Sequence, residues 1–487
     1  MATDLDEDMF RPPLAQGMKV LDRTFFQRTI PIKAARIFEN RDIFTVRTQL
    51  ERSKDALSEP RLGSVHADPD AERAKLGKKC VLLRPETKVE GFARNAPAGA
   101  ANGSLQTNGV NQPGPHSPTL TELADQGKLS VIPYNLQLDY KYWTYHDIMS
   151  AILPPDALEE IPSGFSQVGH VAHLNLREAY LPYKHLIAQI LMDKNPTVKT
   201  VINKIDDVGE ENEYRTFKYE VLAGPDDMNV TVSEENCTFV FDYSRVYWNT
   251  RLNTEHKRLV AMFEEGEAVC DVMAGIGPFA VPAGKKKVFV WANDLNPDSY
   301  GSLVEAIKRN RVGDYVKPFN TDGRAFIRDA TAQLLEDERK VEIRNKISRK
   351  EPGVQPRIEQ TLIQPKTFQH FVLNLPASAL TFLSSFVGMY TPETRDKLPA
   401  GAEMPLVHVY CFSTKDEQDL SSVEQEAAEK ICVEISQQLG YQMKPGPVQE
   451  GGVEIYDVRD VAPKKRMFCA SFRLPEAVAF GVRHEAE

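Results

Sequence analysis

The chain has 487 residues, 41% of them hydrophobic and 26% charged, which is enough for roughly two to four domains with their own cores and rules out a peptide or a single small binding module. No apolar run approaches the ~18 residues of a membrane-spanning helix. With 59 Lys and Arg against 69 Asp and Glu the net charge is −10, so any contact with nucleic acid must be local rather than a uniform basic coat.

The opening residues MATDLDEDMF are acidic and fit neither a secretory signal nor a typical mitochondrial presequence. Met18 to Leu50 and Lys128 to Leu153 carry folded-looking apolar patterns, and between them about 88 to 118 is rich in Gly, Ala, Asn, Pro and Ser. Such a stretch is too poor in large apolar side chains to offset its ordering entropy, which predicts a disordered insertion in a small N-terminal domain, 1–153. After Pro154-Pro155 the sequence VGHVAHLNL reads as a strand and Glu178 to Lys194 as an amphipathic helix. KTVINKI, EYRTFKYEVLAG, NVTVSE and CTFVFDY follow as short β-rich runs, giving an α+β middle domain, 156–244. From 245 to 487 strands alternate with helices, the pattern of βαβ units on a parallel sheet, and VEIYDVRDVAP with RMFCASFRLP closes it as an antiparallel hairpin. The charged, proline-containing stretch of about 338–366 predicts a second insertion. The six cysteines are scattered, with no CxxC pair, which points to a reducing compartment and no structural zinc; no metal site is expected.

The strongest chemical signal is Asp271-Val-Met-Ala-Gly275-Ile-Gly277-Pro-Phe, directly after the apolar Ala268-Val-Cys270. Two glycines in a strand-to-helix turn let backbone approach a nucleotide-type ligand. Ala280 replaces the third glycine of a dinucleotide fingerprint and Pro278-Phe279 crowd the pyrophosphate space, which favours S-adenosylmethionine over NAD. Asp294, at the next strand end, is placed to accept from both ribose hydroxyls, and Asp322-Gly323, after the third strand, to receive the adenine amino group. Asn374-Leu-Pro376-Ala follows a fourth strand, where nucleobase methyltransferases hold the target base. Here Leu375 and Ala377 replace the usual proline and aromatic, which argues against an exocyclic amine as target.

Tyr247-Trp-Asn-Thr-Arg251-Leu-Asn-Thr-Glu255-His, DVMAGIGPFA, NDLNP and NLPASAL together resemble the archaeal and eukaryotic tRNA (guanine-37-N1)-methyltransferases, over roughly Gly169 to the C-terminus. The resemblance implies a class I, Rossmann-like methyltransferase domain behind an α+β middle domain and a small N-terminal domain that checks tRNA shape. It places the catalytic glutamate on Glu255, the catalytic arginine on Arg215 and an active-site aromatic on Tyr247. By the same matching His256, Leu295, Asp294, Asp322, Gly323 and Asn374 line the cofactor site, with Asp271, Gly275 and Gly277 forming its turn, and Asn374, Pro376 and Arg251 meet the substrate. Without the resemblance Glu255 would read as an exposed helix charge and Arg215 as an exposed strand residue. The chemistry fits the assignment: guanine N1 must lose its proton before attacking a methyl sulfonium while charge gathers on O6, so a carboxylate base and a guanidinium answer both needs.

For tRNA binding, Lys184, His185, Lys257, Arg258 and Lys464-Lys465-Arg466 are candidate phosphate contacts, and the aromatics of KYWTYHD either stack on loop bases or pack in a core. The expected protein is a monomer that takes S-adenosylmethionine and a tRNA with G at position 37, supports reading-frame maintenance, and resides in cytoplasm and nucleus with a mitochondrial matrix pool. Two rivals remain at this stage: an aminocarboxypropyl transferase of the wybutosine pathway, and a catalytically silent tRNA-binding protein.

Overall fold

The computed structural model describes residues 9–85, 117–205, 214, 216–345, 357–414, 423–462 and 465–481. The predicted insertion at 88–118 falls almost wholly outside them. The chain forms two compact units, Met1–Ser163 with Leu176–Asn195, and Gly164–Asn175 with Pro196–Glu487. This division runs through the segment read from sequence as one middle domain.

The first unit holds a four-stranded antiparallel sheet in the order Val65–Ala67, Lys79–Leu82, Arg28–Ile37, Leu129–Leu138. One face buries Ala35, Ile37 and Val81 against Val46 and Leu50 of the helix Ile43–Arg52 and Leu120 of Pro118–Asp125. Trp143 of the KYWTYHD run is fully buried and donates from its indole nitrogen to the Phe26 carbonyl at 2.9 Å, so packing is its role. The run Glu178 to Lys194, expected as one helix, is a 3-10 turn over Glu178–Tyr183 followed by an α-helix over Lys184–Lys194. Pro182 inside the first part removes an amide donor and forces the change.

In the second unit, VGHVAHLNL is two short strands, Ser166–Val168 and Val171–Leu174, because Gly169 adopts φ +56° and turns the chain. These pair on with Thr200–Lys204 and Tyr219–Ala223, and Asn229–Glu234 forms a hairpin with Cys237–Asp242. The main sheet has seven strands: β1 (Ala268–Asp271), β2 (Phe289–Asn293), β3 (Val316–Phe319), β4 (His370–Leu373), β5 (Leu406–Thr414), β6 (Glu454–Ala462) and β7 (Lys465–Arg473). Their order is β3-β2-β1-β4-β5-β7-β6, parallel except where β7 joins β5 and β6. β1, β2 and β4 are buried at every position, as strands covered on both faces by helices must be. The helices that matter for the site are α1 (Asn253–Met262), α2 (Ala280–Lys285), α3 (Pro297–Asn310) and α4 (Gly323–Glu336). The segment read as an insertion at 338–366 pairs at its ends, Lys340–Arg344 with Ile358–Ile363, as a two-stranded antiparallel sheet apart from the main one; residues 346–356 lie outside the described residues.

A buried polar line crosses this sheet. Glu267 meets His370 Nε2 at 3.3 Å, His370 Nδ1 lies 3.0 Å from His408 Nε2, and His408 Nδ1 is 2.8 Å from the Ser471 hydroxyl. Burial, then the neighbouring His370 and Arg258, hold the His408 imidazole well below its ordinary value, so it is neutral when folded. The unfolded chain takes up that proton near pH 6.5, so stability is full above that value and falls as pH drops below it, by about 1.4 kcal/mol per pH unit for one site. Urea unfolding at pH 7.5 and 5.5 should show this loss in the wild type and a shallower dependence in His408→Gln.

Candidate active site

The turn after β1 builds the floor of the site. Gly275 and Gly277 adopt φ +58° and +93°, and a Cβ on Gly277 would stand 2.7 Å from Leu303 Cδ1 and 2.9 Å from Val281 Cγ2. Gly277 therefore serves both the left-handed backbone and the close approach of α2 and α3. Gly277→Ala should cost about 1–3 kcal/mol from strain and overpacking, visible as a lower melting temperature. Asp294, just past β2, accepts from the Gly275 amide at 2.8 Å and the Asn296 amide at 2.9 Å, and so ties the glycine turn to the next strand end. Burial pushes the Asp294 carboxyl up, while the Asn296 and Gly275 amides and the Ser299 hydroxyl oppose it. Asp322 caps α4, its Oδ1 taking the Arg324 and Ala325 amides at 2.9 and 3.0 Å.

These strand ends open on a cavity of about 710 Å³ lying wholly in the second unit. Of the residues expected to form the site, Tyr247, Arg251, His256, Gly275, Asp294, Leu295, Asp322, Gly323, Asn374 and Pro376 line it. Tyr247 and Leu295 are each 44% exposed, apolar surface left available to a flat ligand. His256 is buried, with Nδ1 2.5 Å from Glu234 of the preceding hairpin.

Three of the expected residues stand elsewhere. Gly277 lies under the turn, for the packing reason above. Asp271 is buried behind it; neither carboxylate oxygen has a hydrogen-bond partner, and burial, then the Asp294 charge, raises its carboxyl well above the ordinary range. Glu255 is 3% exposed and does not reach the cavity wall. It is neither the exposed helix charge of the bare sequence nor an open base: Arg258, three residues on along α1, binds it bidentately at 2.6 and 2.7 Å, and the Tyr410 hydroxyl donates to it at 2.6 Å. The carboxylate turns inward because the i, i+3 arginine and a β5 tyrosine satisfy it there. Arg215 lies outside the described residues.

The cavity also takes His173, Lys204, Tyr243, Phe382 and Arg459, none marked by a motif. Lys204 and Arg459 sit in ordinary strand patterns, and only the tertiary arrangement brings them to the chemistry. Of the basic tRNA candidates, Arg258 is committed to Glu255, Arg466 is paired with Asp457 and Asp460, and Lys465 lies over the Phe412 ring, 4.2 Å from its centroid. Lys464 is outside the described residues. Among the described residues no cluster of three or more His, Cys, Asp or Glu could hold a metal ion, and no helix is long and apolar enough to cross a membrane. All six cysteines are buried free thiols.

Comparison with known proteins agrees with this architecture. Residues 145–227 match the TYW2 N-terminal domain model and residues 230–337 the TRM5/TYW2 methyltransferase domain model. A tRNA (guanine(37)-N(1))-methyltransferase of Fusarium vanettenii is 48% identical over 98% of both chains. One of Aspergillus fumigatus is 49% identical over 98% of this chain and 97% of its own. The crystal structure of Trm5b from Pyrococcus abyssi, 21% identical, superposes with a TM-score of 0.51 over 91% of this chain and 99% of that one, a likeness of fold. With a class I methyltransferase sheet, a glycine turn pinned by Asp294, and identity near one half along almost its whole length, the chain belongs to the tRNA (guanine(37)-N(1))-methyltransferase family.

Proposed function

We propose that the protein transfers a methyl group from S-adenosylmethionine to N1 of guanosine 37 in tRNA, beside the anticodon. The observation that carries the reading is one cavity in which the Gly275 turn, Asp294 and Asp322-Gly323 stand at successive strand ends and Asn374-Leu-Pro376 faces them. The full-length relatives favour methyl transfer over aminocarboxypropyl transfer, and the silent-protein reading leaves the pinned turn and in-register acids without a purpose.

The residues fit such a cofactor. Asp294 keeps lone pairs beyond those used by Gly275 and Asn296 for a ribose diol, and Asp322 offers an acceptor at the adenine end. When bound, S-adenosylmethionine supplies an electrophilic methyl on a sulfonium. The protein must then orient guanine and remove its N1 proton. Tyr247 offers a half-exposed ring for the base. Glu255 is proposed as the proton acceptor and Arg215 as the partner of O6. For Glu255 this requires its carboxylate to leave Arg258 and turn toward the cavity when tRNA docks, a tightening seen in many sites only in the substrate complex. The deciding experiment is methyl transfer from labelled S-adenosylmethionine to tRNA transcripts that differ only in G or A at position 37. Equal labelling of both transcripts, or none of either, would defeat the reading.

A further inference from the structure

The cavity is lined by two sets of charges. Asp294 and Asp322 belong to the cofactor strand ends; Lys204, Arg251 and Arg459, with the imidazole of His173, form a cationic end in which His173 feels Lys204 and Arg251, and Arg459 feels Arg251. Among the described residues none of these three cations forms an ion pair. The Lys204 ammonium lies over the faces of Phe217 and Tyr243, 4.1 and 5.7 Å from their centroids, and Arg459 donates from Nε to the Asp460 carbonyl at 3.0 Å. Arg459 owes its place to an irregularity in β6: the pairing with β7 slips between Asp457 and Arg459, which sets Arg459 opposite Met467, itself a cavity residue. A slip of that kind re-aims the side chains that follow it.

Cations sharing one partly desolvated cleft repel one another. His173 is driven down to about 4 by burial and then by Lys204 and Arg251; Arg459 is lowered by burial and then by Arg251, with Tyr247 and Asp460 opposing, and Lys204 is lowered by burial. An arrangement of this sort is relieved by an anion, and a guanidinium fork matches phosphate oxygens.

We infer that Lys204, Arg251 and Arg459 together hold the phosphodiester of the target nucleotide, so that its sugar-phosphate lies at the cationic end while the base reaches toward Asn374 and the cofactor. This rests on the methyltransferase reading above and adds two residues, Lys204 and Arg459, that no motif marks. The anion is a nucleotide phosphate rather than a free carboxylate, because the cleft is continuous with the space for the base.

Isothermal titration of the full-length protein with guanosine 5′-monophosphate and with guanosine tests it directly. The wild type should bind the monophosphate about tenfold more tightly, and the double variant Lys204→Gln/Arg459→Gln should lose that difference while its dissociation constant for S-adenosylmethionine stays put. With tRNA transcripts the double variant should raise KM about tenfold with a far smaller change in kcat, and flatten the dependence of log KM on log salt by about two. Arg459→Lys, tested alone, should recover most of the affinity lost in Arg459→Gln. The inference falls if the two ligands bind the wild type equally, or if kcat falls with KM unmoved, which would assign the cations to the reacting base. A failure of the parent reading looks different: a wild type that labels no tRNA at G37.

Discussion

Glu255→Gln should slow single-turnover methylation by about 10²-fold or more, the usual worth of a general base, with both substrates still bound. Glutamine keeps the shape of the side chain but cannot take the N1 proton, so raising the pH should partly restore the rate as hydroxide removes that proton. The same change also breaks a buried pairing: Arg258 loses a bidentate partner and Tyr410 an anionic acceptor, and removing one member of such a pair costs roughly 3–5 kcal/mol. Melting temperature and rate must therefore be read together. Arg258→Ala separates the two effects, because it frees the carboxylate without removing it. A base held in reserve by Arg258 predicts that this variant is less stable yet methylates faster in single turnover than Glu255→Gln. If Glu255→Gln, once folded, methylates at the wild-type single-turnover rate, its role is to hold α1 against β5, and another group takes the proton.

Asp294→Ala should weaken S-adenosylmethionine binding by roughly tenfold to a hundredfold, as expected when a charged hydrogen-bond acceptor worth ~1.5–3 kcal/mol is removed. Two losses combine. The ribose acceptor goes, and so does the tie to the Gly275 amide that sets the glycine turn, while the Asn296 amide loses its acceptor at the start of α3. Affinity for tRNA alone should stay close to wild type. Asp294→Asn, which keeps an acceptor oxygen, should fall between the two. Equal cofactor affinity in wild type and a folded Asp294→Ala protein would take Asp294 out of the site.

Much of the fold was legible because it obeys local rules. Pro297-Asp-Ser opens α3 behind an Asn296 cap, so the helix could be read from its start, while Arg311 ends it in a left-handed conformation that local rules give to Gly or Asn. The apolar runs of β1, β2 and β4 marked a covered parallel sheet, and the glycine turn with its in-register acids marked the cofactor face. Three features were not legible. The turn at Gly169 looks like part of a continuous strand because its neighbours Val168 and Val171 are both buried. The strand pair Lys340–Arg344 and Ile358–Ile363 is exposed or half-buried throughout, so it carries little of the alternating apolar signal of a core strand. The inward turn of Glu255 depends on Tyr410, which lies 155 positions away, and no local pattern encodes it. Lys204 and Arg459 stayed hidden for the same reason, since their meaning comes from a shared cavity rather than from their neighbours in sequence.

The strand order has a consequence for synthesis. β7, the last in sequence among the described strands, lies inside the sheet between β5 and β6, and β6 reaches the sheet only through it. On the ribosome, the cavity residues up to Asn374 can emerge while Arg459 and Met467 are still in the exit tunnel, so the cationic end then has Lys204 and Arg251 but not the wall that Arg459 and Met467 supply. Until β7 slides into place the edge of β5 is an open template for pairing with other chains. The nascent protein thus completes its cavity and covers the β5 edge in one event, the arrival of β7, and a stop codon ahead of β7 leaves a product with an incomplete cavity and an open edge.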